Sequence, residues 1–342
     1  MFKKIFCIII FCSILVKTTD EKGVIESSSL INWQDPANLS MIKKIAKETK
    51  LDPITFDVQQ DSLQQDSFHR HGYLVRRNDA VGTVIICHGY LGCKQDAISL
   101  KHLFPSYNVM AFDFRAHGKD ADGQFSTLGR DEAFDVIGAV NFVKSDELMS
   151  DKPVIAFGFS MGAVAAIQAQ GMDGTLFNAM ILDCPYDSTD GAMRRGLEAK
   201  MQFTIMGKKF TIPGVDLLLC YIYHDYAQKI TSFLFQSISS LDSTKVATKF
   251  VRVLPIESIK KITVPCFFIH CENDKKVPIS AVESLYENKP GFKRLWITQG
   301  KRHFGSYSDN PEMYWYKVNK FLAKLPDVAT RKQARVCDEQ TR

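Results

Sequence analysis

The chain has 342 residues, enough for one large domain or two modest ones, and 45% of them are hydrophobic, which is enough for a sizeable core. Its 43 basic and 38 acidic residues leave a formal charge of only +5, and the basic residues are spread along the chain. This composition argues against a nucleic-acid-binding protein and favours a solvated surface of mixed sign.

The N-terminus has the pattern of a secretory signal peptide. Lys3 and Lys4 precede an apolar run over residues 5–16, and polar residues follow. The run is too short to cross a bilayer comfortably, so we expect an exported protein, periplasmic or secreted, with residues 1–19 as the signal. The run ends without a clear cleavage site, which leaves an uncleaved N-terminal membrane anchor as the alternative.

The next patterns along the chain are weak. Apolar residues on one face predict a short amphipathic helix over residues 38–50. Two strand candidates follow it, at Ile54–Gln59 and Phe68–Arg76.

Six stronger apolar runs come later, separated for the most part by helical patterns such as Asp131–Lys144 and Met161–Gly171. The runs are Thr83–Cys87, Val109–Asp113, Val154–Gly158, Ala179–Asp183, Cys266–His270 and Arg294–Thr298. Near-continuous apolar strands that alternate with helices predict an α/β fold, in which a mostly parallel sheet is covered by helices on both faces.

The alternation is interrupted between Asp183 and Cys266, where about eighty residues intervene although a crossover needs only a dozen or more. The intervening segment contains apolar helical stretches at residues 215–223 and 230–238. It therefore predicts a helical cap insertion, at about 186–258, over the ends of the strands. The main domain is expected to span residues 20–326, followed by a polar tail over 327–342.

The motif Gly158-Phe159-Ser160-Met161-Gly162 lies where a predicted strand meets a predicted helix. A serine between two glycines at such a junction sits on a sharp turn that exposes its hydroxyl above the sheet. The motif predicts a nucleophilic Ser160, although the same pattern also occurs in tight strand-to-helix turns without a catalytic role.

Two later residues complete a catalytic arrangement with Ser160. A serine hydroxyl needs a base to remove its proton, and the base needs a third group to orient it. Asp274 follows the strand that begins at Cys266, and His303 follows the strand that begins at Arg294. All three residues thus come just after strand ends, where open α/β sheets bind ligands.

Together these motifs resemble the α/β-hydrolase superfamily, and within it the serine-aminopeptidase-like and esterase-like branch, over roughly residues 68–325. The matching segments are residues 88–92 (HGYLG), 113–118 (DFRAHG), 158–162 (GFSMG), 272–278 (ENDKKVP) and 300–305 (GKRHFG). The resemblance implies Ser160 as nucleophile, His303 as general base and Asp274 as its orienting acid. It also implies an oxyanion hole made by the backbone N–H groups of Tyr90 and Met161. Tyr90 departs from the HGGG form of many lipases, which argues against a lipase for bulky esters.

Other polar residues at strand ends are alternatives for these roles. Asp183 is the alternative acid, because some superfamily members use that position, whereas the resemblance makes His88 and His117 structural. No histidine or cysteine pattern predicts a metal site, and no cofactor is expected. Four cysteines lie in or beside apolar strand-like runs and are expected to be buried; these are Cys87, Cys184, Cys266 and Cys271.

The expected activity is hydrolysis of a carboxylic ester with a small or medium acyl group, through an acyl-enzyme. Peptidases, amidases and thioesterases use the same machinery, so they remain alternatives. An exported, catalytically silent binding protein is the alternative outside the enzymes. The expected partner is a small or lipid-like acyl substrate, with membrane association through the N-terminal segment or the apolar cap as an option.

Overall fold

A computed structural model of the protein describes residues 50–59, 67–119, 123–205, 208–211, 223–224, 246–300 and 302–325. The predicted signal peptide and polar tail lie outside these residues. The cap helix predicted at 230–238 also lies outside them. Of the helices predicted at 38–50 and 215–223, only the last residue of each is described.

Eight strands form one sheet in the order β1-β2-β4-β3-β5-β6-β9-β10. They are β1 (Asp52–Gln59), β2 (Ser67–Val75), β3 (Thr83–Cys87), β4 (Asn108–Phe112), β5 (Val154–Phe159), β6 (Ala179–Asp183), β9 (Cys266–Cys271) and β10 (Lys293–Thr298). The pairs β1–β2 and β2–β4 are antiparallel, and the remaining pairs are parallel. The predicted strands agree with these bounds to within two residues.

Helices cover both faces of this sheet, as predicted. In chain order they are α1 (Lys94–Ser99), α2 (Glu132–Ser145), α3 (Met161–Met172), α4 (Thr189–Met201), α5 (Pro255–Ile259), α6 (Ile279–Asn288), α7 (Gly305–Asp309) and α8 (Pro311–Leu322). Buried residues of α2, α3 and α6 belong to one apolar core, and those of α1 and α8 belong to a second. The strands separate the two cores.

Strand β5 shows how the sequence produces two cores. All six of its residues are buried, and successive side chains point to opposite faces of the sheet. Ile155, Phe157 and Phe159 therefore join the core beneath α1 and α8, whereas Ala156 packs in the other core. A strand that is apolar on both faces is stable only when helices cover both sides, and this condition is what the near-continuous apolar runs indicated.

The described part of the insertion contains helix α4 and a two-stranded antiparallel hairpin, β7 (Gln202–Ile205) with β8 (Lys208–Thr211). The sequence analysis predicted only helices there, and strands of four residues offer too short an alternation to detect. The chain returns to the main domain at Thr248, which forms a parallel bridge with Ser126. Among the described residues, no helix is long and apolar enough to cross a membrane.

Candidate active site

Ser160 lies at the junction between β5 and α3 with φ 47° and ψ −117°, a conformation that costs free energy for a residue with a side chain. The flanking glycines allow the turn to be this tight. A Cβ atom on Gly158 would lie 2.7 Å from the Cα of Ala163, and one on Gly162 would lie 2.2 Å from the carbonyl oxygen of Cys87. The backbone N–H of Ser160 donates to the carbonyl of Asp183, at 2.8 Å, and the Ser160 side chain stays half-buried.

His303 and Asp274 form a close pair. The Nδ1 of His303 lies 2.6 Å from Oδ2 of Asp274. The loops that carry them follow the neighbouring parallel strands β10 and β9, so they emerge at the same edge of the sheet. The Asp274 side chain is fully buried, whereas 15% of the His303 side chain is exposed.

The environment of Asp274 keeps its carboxylate charged. Burial by itself raises the pKa of Asp274, but the bonds from His303 and from two backbone N–H groups outweigh burial and lower the pKa below its ordinary value. The two backbone donors are those of Lys276, at 2.7 Å, and Val277, at 3.1 Å, both to Oδ1. A charged Asp274 held by these bonds can fix the His303 ring with a proton on Nδ1, so that Nε2 can accept one.

Contacts between neighbouring residues place Ser160 and His303 in the same region, at one edge of the sheet. The rings of Phe159 and Phe304 are 4.4 Å apart between centroids. A Cβ on Gly89 would lie 3.7 Å from the Cβ of Ser160 and 3.9 Å from the ring of Phe304. Within the described residues no hydrogen bond joins the Ser160 hydroxyl to His303, and such bonds are often long in enzymes without substrate.

The two residues predicted as oxyanion donors are Met161, next to Ser160 in the chain, and Tyr90. Met161 is the first residue of α3, so its N–H has no partner inside the helix and points out of a helix N-terminus. Tyr90 follows Gly89, where an added Cβ would lie 3.7 Å from the Cβ of Ser160. The Tyr90 hydroxyl lies 2.7 Å from Oγ1 of Thr248, which ties the loop to the segment returning from the insertion.

The histidines of the HGYLG and DFRAHG motifs hold this loop in place. The ring of His88 lies 2.8 Å from the carbonyl of Gly89 and accepts a bond from the N–H of Phe114 at 3.0 Å. His117 likewise accepts from the N–H of Leu91 at 3.2 Å, and its Nδ1 lies 2.8 Å from the carbonyl of Arg115. Each ring thus uses both nitrogens on backbone groups. Burial lowers the pKa of both, that of His88 to about 3, so they are neutral structural residues.

Asp183, the alternative acid, is placed differently. Its buried Oδ2 accepts a bond from the Tyr314 hydroxyl at 2.8 Å, and burial raises its pKa to about 7. Of the two acids, only Asp274 is bonded to His303 in the part of the chain that the structure describes.

The buried carboxylate of Glu132 connects segments near Ser160 through hydrogen bonds. Glu132 accepts bonds from the Ser126 hydroxyl, from the N–H and hydroxyl of Thr127 and from the N–H of Gly129. Ser126 bridges to Thr248 and lies 3.6 Å from the sulfur of Met161. The base of the insertion, the loop that carries Tyr90 and the start of α3 are therefore connected through Glu132 and Ser126. The sequence analysis did not identify this network, because its members belong to no motif.

Cys184 is the other residue that the sequence analysis did not place in the site. It was expected only to be buried, as it is, along with Cys87, Cys266 and Cys271, and all four are free thiols. Its Sγ lies 3.8 Å from Nε2 of His303. Burial and nearby Asp183 and Asp274 raise the pKa of the Cys184 thiol well above its ordinary value, so it is not an activated nucleophile. The available signal was its position directly after β6.

Comparison with known proteins agrees with this architecture. The sequence model of the Alpha/beta hydrolase family matches residues 84–312. The uncharacterized protein YqkD of Bacillus subtilis (strain 168) is 30% identical over 262 residues, which cover 75% of this chain and 76% of YqkD.

Two solved structures show the same fold. The esterase Pf2001 of Pyrococcus furiosus aligns with a TM-score of 0.59 and 23% identity, covering 83% of this chain and 95% of the esterase. The acylaminoacyl peptidase of Pyrococcus horikoshii aligns with a TM-score of 0.53 and 14% identity, covering 84% of this chain and 44% of the peptidase. The predicted fold and family are therefore confirmed, and the chain belongs to the alpha/beta hydrolase family.

Proposed function

We propose that the protein is a serine hydrolase that cleaves carboxylic esters of small or medium acyl groups, with Ser160 as nucleophile, His303 as general base and Asp274 as the residue that orients His303. The observation that carries the proposal is the strained Ser160 turn at the same edge of the sheet as the bonded Asp274–His303 pair, with the neighbouring rings of Phe159 and Phe304 in contact. A folded chain maintains such strain only where the surrounding structure enforces it, and strained residues cluster at active sites.

In the first half of the reaction the Ser160 hydroxyl attacks the acyl carbonyl while His303 accepts its proton at Nε2. The carbonyl oxygen becomes an oxyanion, which the N–H groups of Tyr90 and Met161 would bind. Losing one such donor commonly costs about 10²–10³ in rate. His303 then gives its proton to the leaving oxygen, which departs and leaves Ser160 acylated.

In the second half, water takes the position of the departed alcohol. His303 removes a proton from that water, and the resulting hydroxide attacks the acyl-enzyme to form a second oxyanion. Collapse returns the proton to Ser160 and releases the acid. Asp274 keeps the His303 ring in one orientation through both halves, and it stabilises the imidazolium that forms in each.

The sequence of the insertion favours an ester over a peptide substrate. The Pf2001 protein is an esterase and the Pyrococcus horikoshii protein an acylaminoacyl peptidase, so relatives of this fold include both kinds. Acidic residues that would bind a free amine, Glu198, Asp216 and Asp225, are scattered along the insertion sequence rather than clustered. Their scatter favours the esterase over the aminopeptidase.

The test is labelling with a fluorophosphonate probe, which reacts with activated serines. Wild type should be labelled, Ser160→Ala should not, and Ser145→Ala should match wild type because Ser145 is exposed at the far end of α2. Nitrophenyl esters of increasing chain length, with matched thioesters and anilides, then measure the preferred leaving atom and acyl length. A folded wild type that is not labelled would favour the silent binding protein instead.

We also propose that the protein is exported, on the pattern of residues 1–19. Expression of the full chain followed by cell fractionation and N-terminal sequencing tests this. A shortened chain in the exported fraction supports a cleaved signal, a full-length chain in the membrane fraction supports an anchor, and a full-length cytosolic chain contradicts export.

A further inference from the structure

We propose that Cys184 and His303 form a binding site for a divalent cation of the zinc class, and that the bound cation blocks hydrolysis by occupying Nε2 of His303. The inhibition rests on the proposed function, whereas cation binding does not. Sequence spacing predicted no metal site, because these ligands lie 119 positions apart.

The distance between the two ligand atoms fits a shared cation. Zinc binds cysteine sulfur at about 2.3 Å and histidine nitrogen at about 2.0–2.1 Å. With these bond lengths, the 3.8 Å between Sγ of Cys184 and Nε2 of His303 corresponds to a sulfur–zinc–nitrogen angle of roughly 120°. An ideal tetrahedral angle needs a separation of about 3.6 Å, so an adjustment of about 0.2 Å makes the geometry regular.

The chemistry of the donors selects the class of cation. A thiolate with an imidazole suits zinc and its softer relative cadmium and does not suit magnesium or calcium, which prefer oxygen ligands. His303 is already oriented for the role, because its Nδ1 is bonded to Asp274 at 2.6 Å. A carboxylate behind a metal-binding histidine fixes the ring and raises its basicity.

The surrounding charge also favours a cation. Cys184 is buried, and the charged carboxylate of Asp274 lies directly behind His303, at 2.6 Å from its Nδ1. This field opposes a thiolate that is alone, but it stabilises a thiolate that is neutralised by a divalent ion. On binding, the S–H bond breaks, an S–metal bond forms, and the thiol proton leaves to solvent, so one proton is released per cation.

A bound cation would stop His303 from acting as a base, whereas the thiol contact alone would not. Without a cation, the Cys184 thiol makes at most a long S–H···N contact with Nε2 of His303. When substrate is bound, the Ser160 hydroxyl can replace the thiol in this contact. A metal–nitrogen bond removes the lone pair that His303 needs as a base. The same residues therefore permit hydrolysis in a chelated protein and prevent it in a zinc-loaded one.

The binding test uses cadmium, whose bonds to thiolates absorb in the ultraviolet. The chelated full-length protein is titrated with Cd²⁺ beside Cys184→Ser, and Cys93→Ser is the matched control, since Cys93 is a half-buried thiol bonded to Asp96. Per protein molecule, wild type and Cys93→Ser should show more cadmium–thiolate absorbance than Cys184→Ser, by the amount expected for one thiolate. They should also release one more proton. Cysteines other than Cys93 and Cys184 are present in all three proteins, so their contribution to the absorbance cancels in the comparison.

A further variant assigns the second ligand. His303→Gln should weaken binding of the Cys184-dependent cation by about tenfold or more, because even the loss of a residue behind a metal ligand costs about 10–100-fold. An unchanged band in Cys184→Ser, or unchanged affinity in His303→Gln, would overturn the site. Far-ultraviolet circular dichroism confirms that each variant is folded.

The inhibition is measured separately, as fluorophosphonate labelling with and without Zn²⁺, each protein relative to its own chelated rate. Zinc should suppress labelling of wild type and Cys93→Ser and leave the labelling of Cys184→Ser largely unaffected. Cation binding with unaffected wild-type labelling would overturn the inhibition. Cation binding in a protein that is not labelled even when chelated would instead refute the proposed function and leave the site standing.

Discussion

The tight contact at Gly162 leads to a strong prediction for Gly162→Ala. The new Cβ would lie 2.2 Å from the carbonyl oxygen of Cys87 and 2.5 Å from that of His88. Both atoms belong to the backbone and cannot rotate away as a side chain could. To restore even a 3.0 Å contact, the end of β3 or the start of α3 must move by roughly 0.8 Å.

This movement has two expected costs. Overpacking of a well-packed interior destabilises a fold by about 1–3 kcal/mol, and the upper part of this range applies here because both obstructing atoms are backbone. The displaced segment leads directly into the loop of Gly89 and Tyr90, and a misplacement of about 1 Å in a catalytic site can cost about 10²-fold in rate. We therefore expect labelling to slow by about two orders of magnitude in molecules that still fold.

Urea denaturation measures the first cost, and the rate of fluorophosphonate labelling measures the second. Gly174→Ala is the control, because nothing lies within 4 Å of its added Cβ and its φ is not positive. It should change the free energy of unfolding by less than about 1 kcal/mol, toward greater stability. If Gly162→Ala matched Gly174→Ala in both stability and labelling rate, the account of the Ser160 turn would be wrong.

Three further predictions follow from the site. Asp274→Asn should fold normally but label about 10⁴-fold more slowly, since the amide would hold the His303 ring in the wrong tautomer; a near-normal rate would point to another acid. Asp183 has its pKa raised from 3.8 to about 7, so the folded state binds its proton more tightly and the contribution of Asp183 to stability falls as the pH rises from about 4 to about 7. Asp183→Asn should remove that loss. The free energy of unfolding of the variant minus that of wild type, measured in urea, should therefore increase across this window by on the order of a few kcal/mol, and a constant difference would contradict the shifted pKa. Tyr90→Phe removes the bond to Thr248 and should lower the free energy of unfolding by about 0.5–1.5 kcal/mol, while the labelling rate stays within a few-fold of wild type. A 10²-fold slower labelling rate would mean that the Tyr90 hydroxyl itself, rather than its backbone N–H, acts on the substrate.

Much of this molecule could be predicted from local sequence patterns. The runs buried on both faces of the sheet consist of consecutive apolar residues, and a strand of this kind needs no distant information to be recognised. Ser160, Asp274 and His303 were predicted as the site because each lies in the turn or loop just past such a run. Parallel strands end at one edge of the sheet, so residues that follow those ends are expected in one cleft before any coordinates are known.

The contacts inside that cleft depended on how distant segments pack. Asp183 ends β6 and Asp274 follows β9, and only the tertiary packing of these strand ends decides that Asp274, rather than Asp183, is bonded to His303. The 3.8 Å approach of Cys184 to His303 joins loops 119 residues apart, and the bond from Tyr90 to Thr248 spans 158 residues. Spacing along the chain identifies the strand end at which a residue lies, but the direction of its side chain is set by packing between loops that the sequence does not place next to one another.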